Sequence, residues 1–321
     1  MTLSSSTSSA APQEQPRRGL LPTLRRTGRQ AGIALLGEDR FMEARAALHM
    51  AMDRWRHKPL FIVHTMGKVG STTVDVSLKA RGLEESMAVH QRHFLTEEGA
   101  AFVEDLSIEG VGSWEKLPAN DRSFLLSSRL LYKDMQKRRA AGERVKIVSM
   151  VRDPVATNLS GFFHNYIWWP EEIKARCVEP SDDCLEALQR RFLEHYPHEV
   201  PAIWFDIEIR PLYGVDVFAT PFDRDLGYAI YHSDFADILL LKLEKLNQCA
   251  APAFYEFMGL DGFELLESNK AEDKSYASLY KAFRKRTTLP ESYLDRVYVS
   301  RMAHHFYTDG ELAAFRQKWL A

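Results

Sequence analysis

Apolar positions along the chain follow two alternating patterns. Leu60 to Val63, Val145 to Val151 and Asp237 to Leu243 are short, nearly unbroken apolar runs. They read as buried parallel strands, because a strand covered on both faces shows no polar alternation. Ser86 to His90 reads as a further short strand, and Gly227 to Tyr231 as another, at a sheet edge. Between these runs the period lengthens to that of a helix. From Asp39 to Arg56, the residues Phe41, Ala44, Leu48, Ala51 (with Met52) and Trp55 recur at helical spacing, which predicts an amphipathic helix packed on the main domain through that face.

Further helices are expected over Ser71 to Ala80, ending at Gly82, and from near Thr96. Others run from an Asn120 or Asp121 cap to about Ala141, from Val155 to Tyr166, and from Lys245 to Met258. The C-terminal third adds Tyr276 to Arg286, Glu291 to His304 and Glu311 to Leu320. Trp204 to Phe222 shows no clear period and reads as a packing or functional segment. Strands alternating with helices predict an α/β fold with a parallel sheet flanked by helices, right-handed crossovers and a helical C-terminal part. The expected organisation is a disordered basic arm over residues 1–30, an amphipathic helix over 31–57, and a single α/β domain over 58–321.

Composition sharpens this only slightly. With 45% hydrophobic and 27% charged residues and a formal charge of −2, the chain carries no global field for nucleic acid, so any anion site is local. Arg17, Arg18, Arg25, Arg26 and Arg29 stand against Glu14 in the arm, which could meet an anionic surface. The three cysteines form no even framework and no metal spacing; a Cys177–Cys184 bridge is possible, but a reduced, cytoplasmic chain is expected. No apolar run reaches the length of a membrane span.

The chemistry gathers behind the first strand, in Thr65-Met66-Gly67-Lys68-Val69-Gly70-Ser71-Thr72-Thr73. Glycines there allow a tight turn whose N–H groups face one concavity at a helix N-terminus, a site for phosphate, with Lys68 as a point charge and Ser71, Thr72 and Thr73 as further donors. The order is not that of a nucleotide-triphosphatase loop, in which lysine follows the second glycine. A second candidate anion site follows Val151, where Arg152 leaves a buried strand and Ser160 sits on the next helix. A guanidinium can hold a phosphate through paired hydrogen bonds. Both stretches lie at the carboxyl ends of strands, where open α/β sheets bind ligands.

These residues resemble a known family. The Thr65 to Thr73 loop is similar to the 5′-phosphosulfate loop of the sulfotransferase superfamily, and Val151-Arg152-Asp153-Pro154 through Ser160 to His164 is similar to its 3′-phosphate motif. His93-Phe94-Leu95, Trp204 to Glu208, Gly214 to Val217, Leu239 to Leu246, and His305-Phe306-Tyr307 ahead of Glu311 resemble the branch of bacterial capsular polysaccharide synthesis proteins. The likeness covers roughly residues 58–321. The glycine-rich C-terminal phosphate loop of cytosolic sulfotransferases is not evident; Lys285 or Arg286 would have to supply that contact.

The resemblance implies a P-loop-like sulfotransferase fold and transfer of a sulfuryl group from 3′-phosphoadenosine 5′-phosphosulfate (PAPS), as co-substrate and without a metal, to a saccharide or other hydroxyl acceptor. In that reading Lys68 stabilises the leaving phosphate, Gly67, Val69, Gly70, Ser71, Thr72 and Thr73 cradle it, and Arg152 and Ser160 hold the 3′-phosphate. His93, ahead of His90, is the candidate base, since an ordinary imidazole titrates near neutrality. Glu208 and Asp206 are competing bases unless tied into ion pairs. A nucleotide kinase, a non-catalytic nucleotide or polysaccharide binder, and a glycosyltransferase are the alternatives, the last disfavoured because no metal-binding Asp-x-Asp is evident.

Overall fold

The computed structural model describes residues 30–266 and 276–320, so the expected arm lies, except for Gln30, outside the described residues. Five strands form one sheet: β1 (Leu60–His64), β2 (Ala88–Arg92), β3 (Val145–Val151), β4 (Tyr228–His232) and β5 (Ala236–Lys242), in the order β2-β1-β3-β5-β4. All neighbours are parallel except β4, which pairs antiparallel with β5 at the edge. Every residue of β1 is buried, and so is all of β3 except Lys146. Their unbroken apolar character therefore has the cause the sequence suggests: both faces of the sheet are covered.

The longer helices are α1 (Glu38–Trp55), α2 (Ser71–Ala80), α3 (Glu97–Val111), α4 (Ala119–Ala140), α5 (Pro154–His164), α6 (Asp182–His195), α7 (Leu246–Met258), α8 (Ala277–Arg286), α9 (Glu291–Tyr298) and α10 (Asp309–Leu320). The strand order creates a switch point. From β1 the chain crosses to β2 on one side, then returns past β1 to β3 on the other. The segments leaving β1 and β3 thus diverge, and open α/β sheets form their ligand crevice in such a gap.

Five expectations need correction. The second strand starts at Ala88 rather than Ser86, because Gly82, at φ 75°, restarts one helical turn over Leu83–Ser86. The stretch expected as one helix from Glu291 to His304 is two, because Ser300 caps a new turn by accepting from the Ala303 N–H at 3.3 Å. Trp204 to Phe222 is not irregular at its start: Val200–Trp204 runs through a single π-helical turn, Phe205–Ile209, into Arg210–Tyr213. Trp204, Phe205, Ile209 and Tyr213 are all essentially inaccessible. The buried positions do recur at helical spacing, but Glu208 on that face and Ile203 and Pro211 on the exposed one hide the period in the sequence.

The fourth correction concerns α1, which faces the opposite way to its apolar stripe. Met50 and Asp53 are buried, whereas Leu48 is 63% and Trp55 77% exposed. Polar contacts set this orientation. Arg122 of α4 binds Glu38 and Asp39 at 2.9 and 2.7 Å, the Trp114 indole N–H donates to Asp39 at 2.8 Å, and Arg54 pairs with Asp134 at 3.1 Å. Cys177 and Cys184 form a disulfide across the turn into α6, against the reduced chain expected, while Cys249 is free and buried. Among the described residues no helix is long and apolar enough to cross a membrane.

Candidate functional site

The turn from β1 into α2 is built to present backbone N–H groups. Lys68 and Gly70 both have left-handed backbone, at φ 69° and 89°. Gly70 must also be glycine for space, since a Cβ there would stand 2.6 Å from the Leu243 side chain. Alternation of right- and left-handed residues turns successive N–H groups toward one point, a nest for an anion at the start of α2. Ser71 is buried and its hydroxyl accepts from the Gln91 amide of β2 at 2.9 Å, leaving its own proton free to be donated. Val69 differs from the expectation: its side chain is wholly buried in the core, so only its backbone can serve the loop.

The second loop is fixed to the first. Arg152 donates from Nη1 to the Lys68 carbonyl at 2.8 Å. Behind it, Asp153 caps α5 by accepting from the Val155 N–H at 3.0 Å, with Pro154 in the first turn, where a missing N–H costs nothing. The Tyr298 hydroxyl donates to Asp153 at 3.0 Å, and the Asp153 N–H donates to Glu244 at 2.8 Å. Burial raises the carboxyl pKa of both Asp153 and Glu244, with these hydrogen bonds opposing the shift. Tyr307 donates to Glu244 at 3.1 Å, and Lys242, fully buried, pairs with Glu311 at 2.6 Å.

The two loops open into one cleft of about 1000 Å³ that includes Gly67, Lys68, Gly70, Ser71, Thr72, Thr73, His93, Arg152 and Ser160. The structure thus brings together the loop, the arginine, the serine and one histidine. Thr157, one turn before Ser160, also lines the cleft; its buried hydroxyl has no hydrogen-bond partner among the described residues. Gly161 gives room to Tyr196, whose hydroxyl would stand 2.1 Å from a Cβ at that position. Lys68, Arg152 and Arg284 oppose a single carboxylate, Asp121, among the lining residues, so the cleft is locally basic in a chain of net charge −2. Burial raises the Asp121 pKa.

The walls differ in chemistry. Against α5, Phe163, Tyr276, Tyr280 and Arg284 line the cleft, with Phe163 5.2 Å from Tyr280 between ring centres. Arg284, one helical turn's worth of spacing beyond Tyr280, is the basic residue of α8 at the cleft, in place of the expected Lys285 or Arg286; Arg286 instead pairs with Asp182. On the β2 side the wall is Ser107 from α3 and Asn120, Asp121 and Phe124 from α4. Trp169 and Trp204 are buried packing residues.

The four base candidates separate cleanly. The His93 ring lies in the cleft, 5.9 Å from Phe124, and Nδ1 meets the Thr65 carbonyl at 2.8 Å. A carbonyl only accepts, so Nδ1 carries the proton and Nε2 the lone pair. Burial pushes the ring down to about 4, well below the near-neutral value expected from sequence, so His93 is neutral at pH 7. His90 does not line the cleft; burial takes it to about 3, aided by Arg92. Glu208 is fully buried and accepts from the Leu95 N–H at 2.8 Å, the Thr96 N–H at 3.1 Å and the Thr96 hydroxyl at 2.7 Å, with His64 Nε2 at 3.2 Å. It is a latch behind His93, not a base facing a substrate. Asp206 pairs with Arg301.

Sequence reasoning missed Gln91, Thr157 and Arg284; a helical spacing of four between Tyr280 and Arg284 was the available signal for the last. It also passed over Asp223-Arg224-Asp225, which has the Asp-x-Asp form. That triplet lies outside the cleft, and Asp223 is used locally, accepting from the Asp225 and Leu226 N–H groups at 3.0 and 2.8 Å. Among the described residues no cluster of three or more His, Cys, Asp or Glu side chains could hold a metal ion.

Residues 186–308 match the family model NKWYS, described as "Putative capsular polysaccharide synthesis protein". The matched stretch contains Trp204, Glu208, Glu244, Tyr298 and Tyr307, and excludes the Lys68 and Arg152 loops. What is similar to that family is therefore the framework that braces both loops from behind: Trp204 donates to the His93 carbonyl at 2.9 Å, Glu208 holds Leu95 and Thr96, and Glu244 holds the Asp153 N–H. No curated protein and no solved structure matches the chain.

Proposed function

We propose that the protein transfers a sulfuryl group from 3′-phosphoadenosine 5′-phosphosulfate to a hydroxyl of a saccharide. The observation that carries this reading is the convergence of the Lys68 loop and of Arg152 with Ser160 on one basic cleft at the sheet's switch point. Two separated anion sites suit a donor with phosphates at both ends of its ribose, and the cleft is large enough for a nucleotide and part of an acceptor. The polysaccharide description attached to residues 186–308 supports a saccharide as the acceptor.

In this reading Lys68 and the N–H groups from Gly67 to Thr72, with the Thr73 side chain, hold the 5′-phosphate and take up the charge that grows on it as the S–O bond breaks. Such preorganised donors are the main source of rate in group transfers of this kind. Arg152, Ser160 and Thr157 hold the 3′-phosphate, and the Tyr276–Tyr280 wall of α8 faces the base. His93 Nε2 takes the proton of the acceptor hydroxyl as its oxygen bonds to sulfur. Asn120, Asp121, Ser107 and Phe124 offer polar groups and an aromatic face to the acceptor, a combination suited to a sugar ring.

Incubation of the purified chain with the donor and a panel of acidic and neutral oligosaccharides tests the reading. The expected result is 3′-phosphoadenosine 5′-phosphate release that depends on acceptor, together with a sulfated product by mass spectrometry. Incorporation of a sugar from a nucleotide sugar, with no use of the sulfuryl donor, would replace this reading with glycosyl transfer.

A further inference from the structure

The face of α1 that the sequence assigns to the core points to solvent. Leu48, Met52 and Trp55 are 63%, 43% and 77% exposed and follow one another at helical spacing, so they form one stripe. Leu35 and Leu36, in the helical turn just before α1, are 83% and 44% exposed. Three large apolar side chains in one exposed stripe, preceded in the chain by two more, exceed the scatter normal for a soluble domain and mark a contact surface.

The charges around the stripe name the partner. At 3.6 residues per turn, Arg45 and Arg56 flank it on one side and Arg40 on the other, while Glu43 falls round the helix toward the opposite side. Arg40, Arg45 and Arg56 are exposed, and among the described residues none has an ion-pair partner. The other acidic groups of α1 are tied into ion pairs: Glu38 and Asp39 with Arg122, and Asp53 with Lys58 at 3.6 Å. Immediately before this element the chain carries five arginines against one glutamate over residues 1–30, in a protein whose net charge is −2.

We propose that this face, with the preceding arginines, docks the protein on an anionic lipid surface. An apolar stripe bordered by arginines lies flat at the boundary between headgroups and acyl chains, with Trp55 and Leu48 inserted and the guanidiniums at the phosphates. Neither signal alone anchors stably, and the two together do. The docked helix packs on α4, whose Asn120, Asp121 and Phe124 line the β2 side of the cleft, so docking sets the cleft one helix layer from the membrane. The inference stands on α1 and the arm, independently of the donor and acceptor assigned to the cleft.

The test is flotation of the full chain with vesicles of phosphatidylcholine alone or with one-third phosphatidylglycerol. Binding to the anionic vesicles at least tenfold above the neutral ones is expected, weakening with salt. It should fall at least tenfold in Leu48→Glu/Trp55→Glu, and also when Arg17, Arg18, Arg25, Arg26 and Arg29 are all changed to alanine, each arginine near the surface being worth about fivefold. Quenching of tryptophan fluorescence by brominated lipid in the wild type, reduced in Trp55→Phe, reads insertion without disturbing the fold. Equal binding to both vesicles, no binding, or binding unaffected by the Leu48/Trp55 change would overturn the proposal. A concentration-dependent dimer abolished by Trp55→Glu, without vesicle binding, would assign the face to a second copy of the chain instead.

Discussion

The Arg152 guanidinium donates to the main-chain carbonyl of Lys68 at 2.8 Å, so the residue that leaves β3 fixes the backbone of the residue that leaves β1. Lys68 has left-handed backbone, at φ 69°, which costs an ordinary side chain roughly 1–2 kcal/mol. The bond from Arg152 helps hold it there and aims the loop at the cleft. The two loops are thus one mechanical unit, and each can be perturbed to read the other.

Lys68 separates charge from backbone. Lys68→Ala removes the ammonium and keeps the strain, whereas Lys68→Gly removes both. Turnover should fall by about 10²–10³ in either variant, the usual loss for a group that stabilises transition-state charge. In denaturant melts Lys68→Gly should be the more stable of the two, by about 0.5–1 kcal/mol after the greater unfolded-chain entropy of glycine is offset. Equal stability would show that the turn is not strained at this residue.

His93 and His90 share one pH dependence of stability and differ in their effect on turnover. His93 is held at about 4 and His90 at about 3, both below the ordinary 6.5, so the unfolded chain binds more protons than the folded one below pH 6.5. Their contribution to stability is complete above pH 6.5 and is lost as pH falls from there through 4 and 3. His90→Phe should blunt this acid loss and leave kcat/KM unchanged; His93→Gln should lower kcat. The kcat/KM profile of the wild type should be flat from about pH 5 to 8 and fall only toward 4. An inflection near 6.5 would mean that the base is not the buried imidazole of His93.

Glu208 should behave as a structural carboxylate. Glu208→Ala leaves three buried donors, the Leu95 and Thr96 N–H groups and the Thr96 hydroxyl, without their acceptor and should cost about 3 kcal/mol or more. Gly99→Ala should be destabilising for the same reason, because its Cβ would stand 1.8 Å from a Glu208 oxygen. Stability measured beside activity checks this. A Glu208→Gln variant with wild-type melting and a lost low-pH limb in its pH profile would restore Glu208 as a catalytic group.

Gly161 and Tyr196 form a pair that tests cleft packing. A Cβ at position 161 would stand 2.1 Å from the tyrosine hydroxyl, so Gly161→Ala should cost about 1–3 kcal/mol and weaken donor binding through the adjacent Ser160. Tyr196→Phe removes the colliding oxygen, and the double variant should recover about half of the loss. Strict additivity of the two changes in a double-mutant cycle would contradict a direct clash.

Much of this was legible in the chain. The apolar runs of β1, β3 and β5 are buried strands, and the Lys68 and Arg152 stretches follow the carboxyl ends of β1 and β3. Less legible were features decided by long-range pairing. The role of Glu208 depends on Leu95 and Thr96, over a hundred positions away, and that of Glu244 on the Asp153 N–H, so neither is local. The apolar stripe of α1 was visible but its direction was not, because Arg122, Arg54 and Trp114 outweigh it through polar contacts. The pKa of His93 depends on its burial beneath Phe124 and Thr65, which no spacing announces.

Calorimetric titration with 3′-phosphoadenosine 5′-phosphate, alongside 5′-AMP and Mg-ATP, on wild type and Arg152→Ala tests the central claim most directly. The account predicts that the bisphosphate binds at least tenfold more tightly than 5′-AMP and that Arg152→Ala abolishes this preference, a loss of about 1.5–3 kcal/mol for a charged hydrogen-bond donor. Preference for Mg-ATP, or equal binding of the bisphosphate and 5′-AMP, would contradict it.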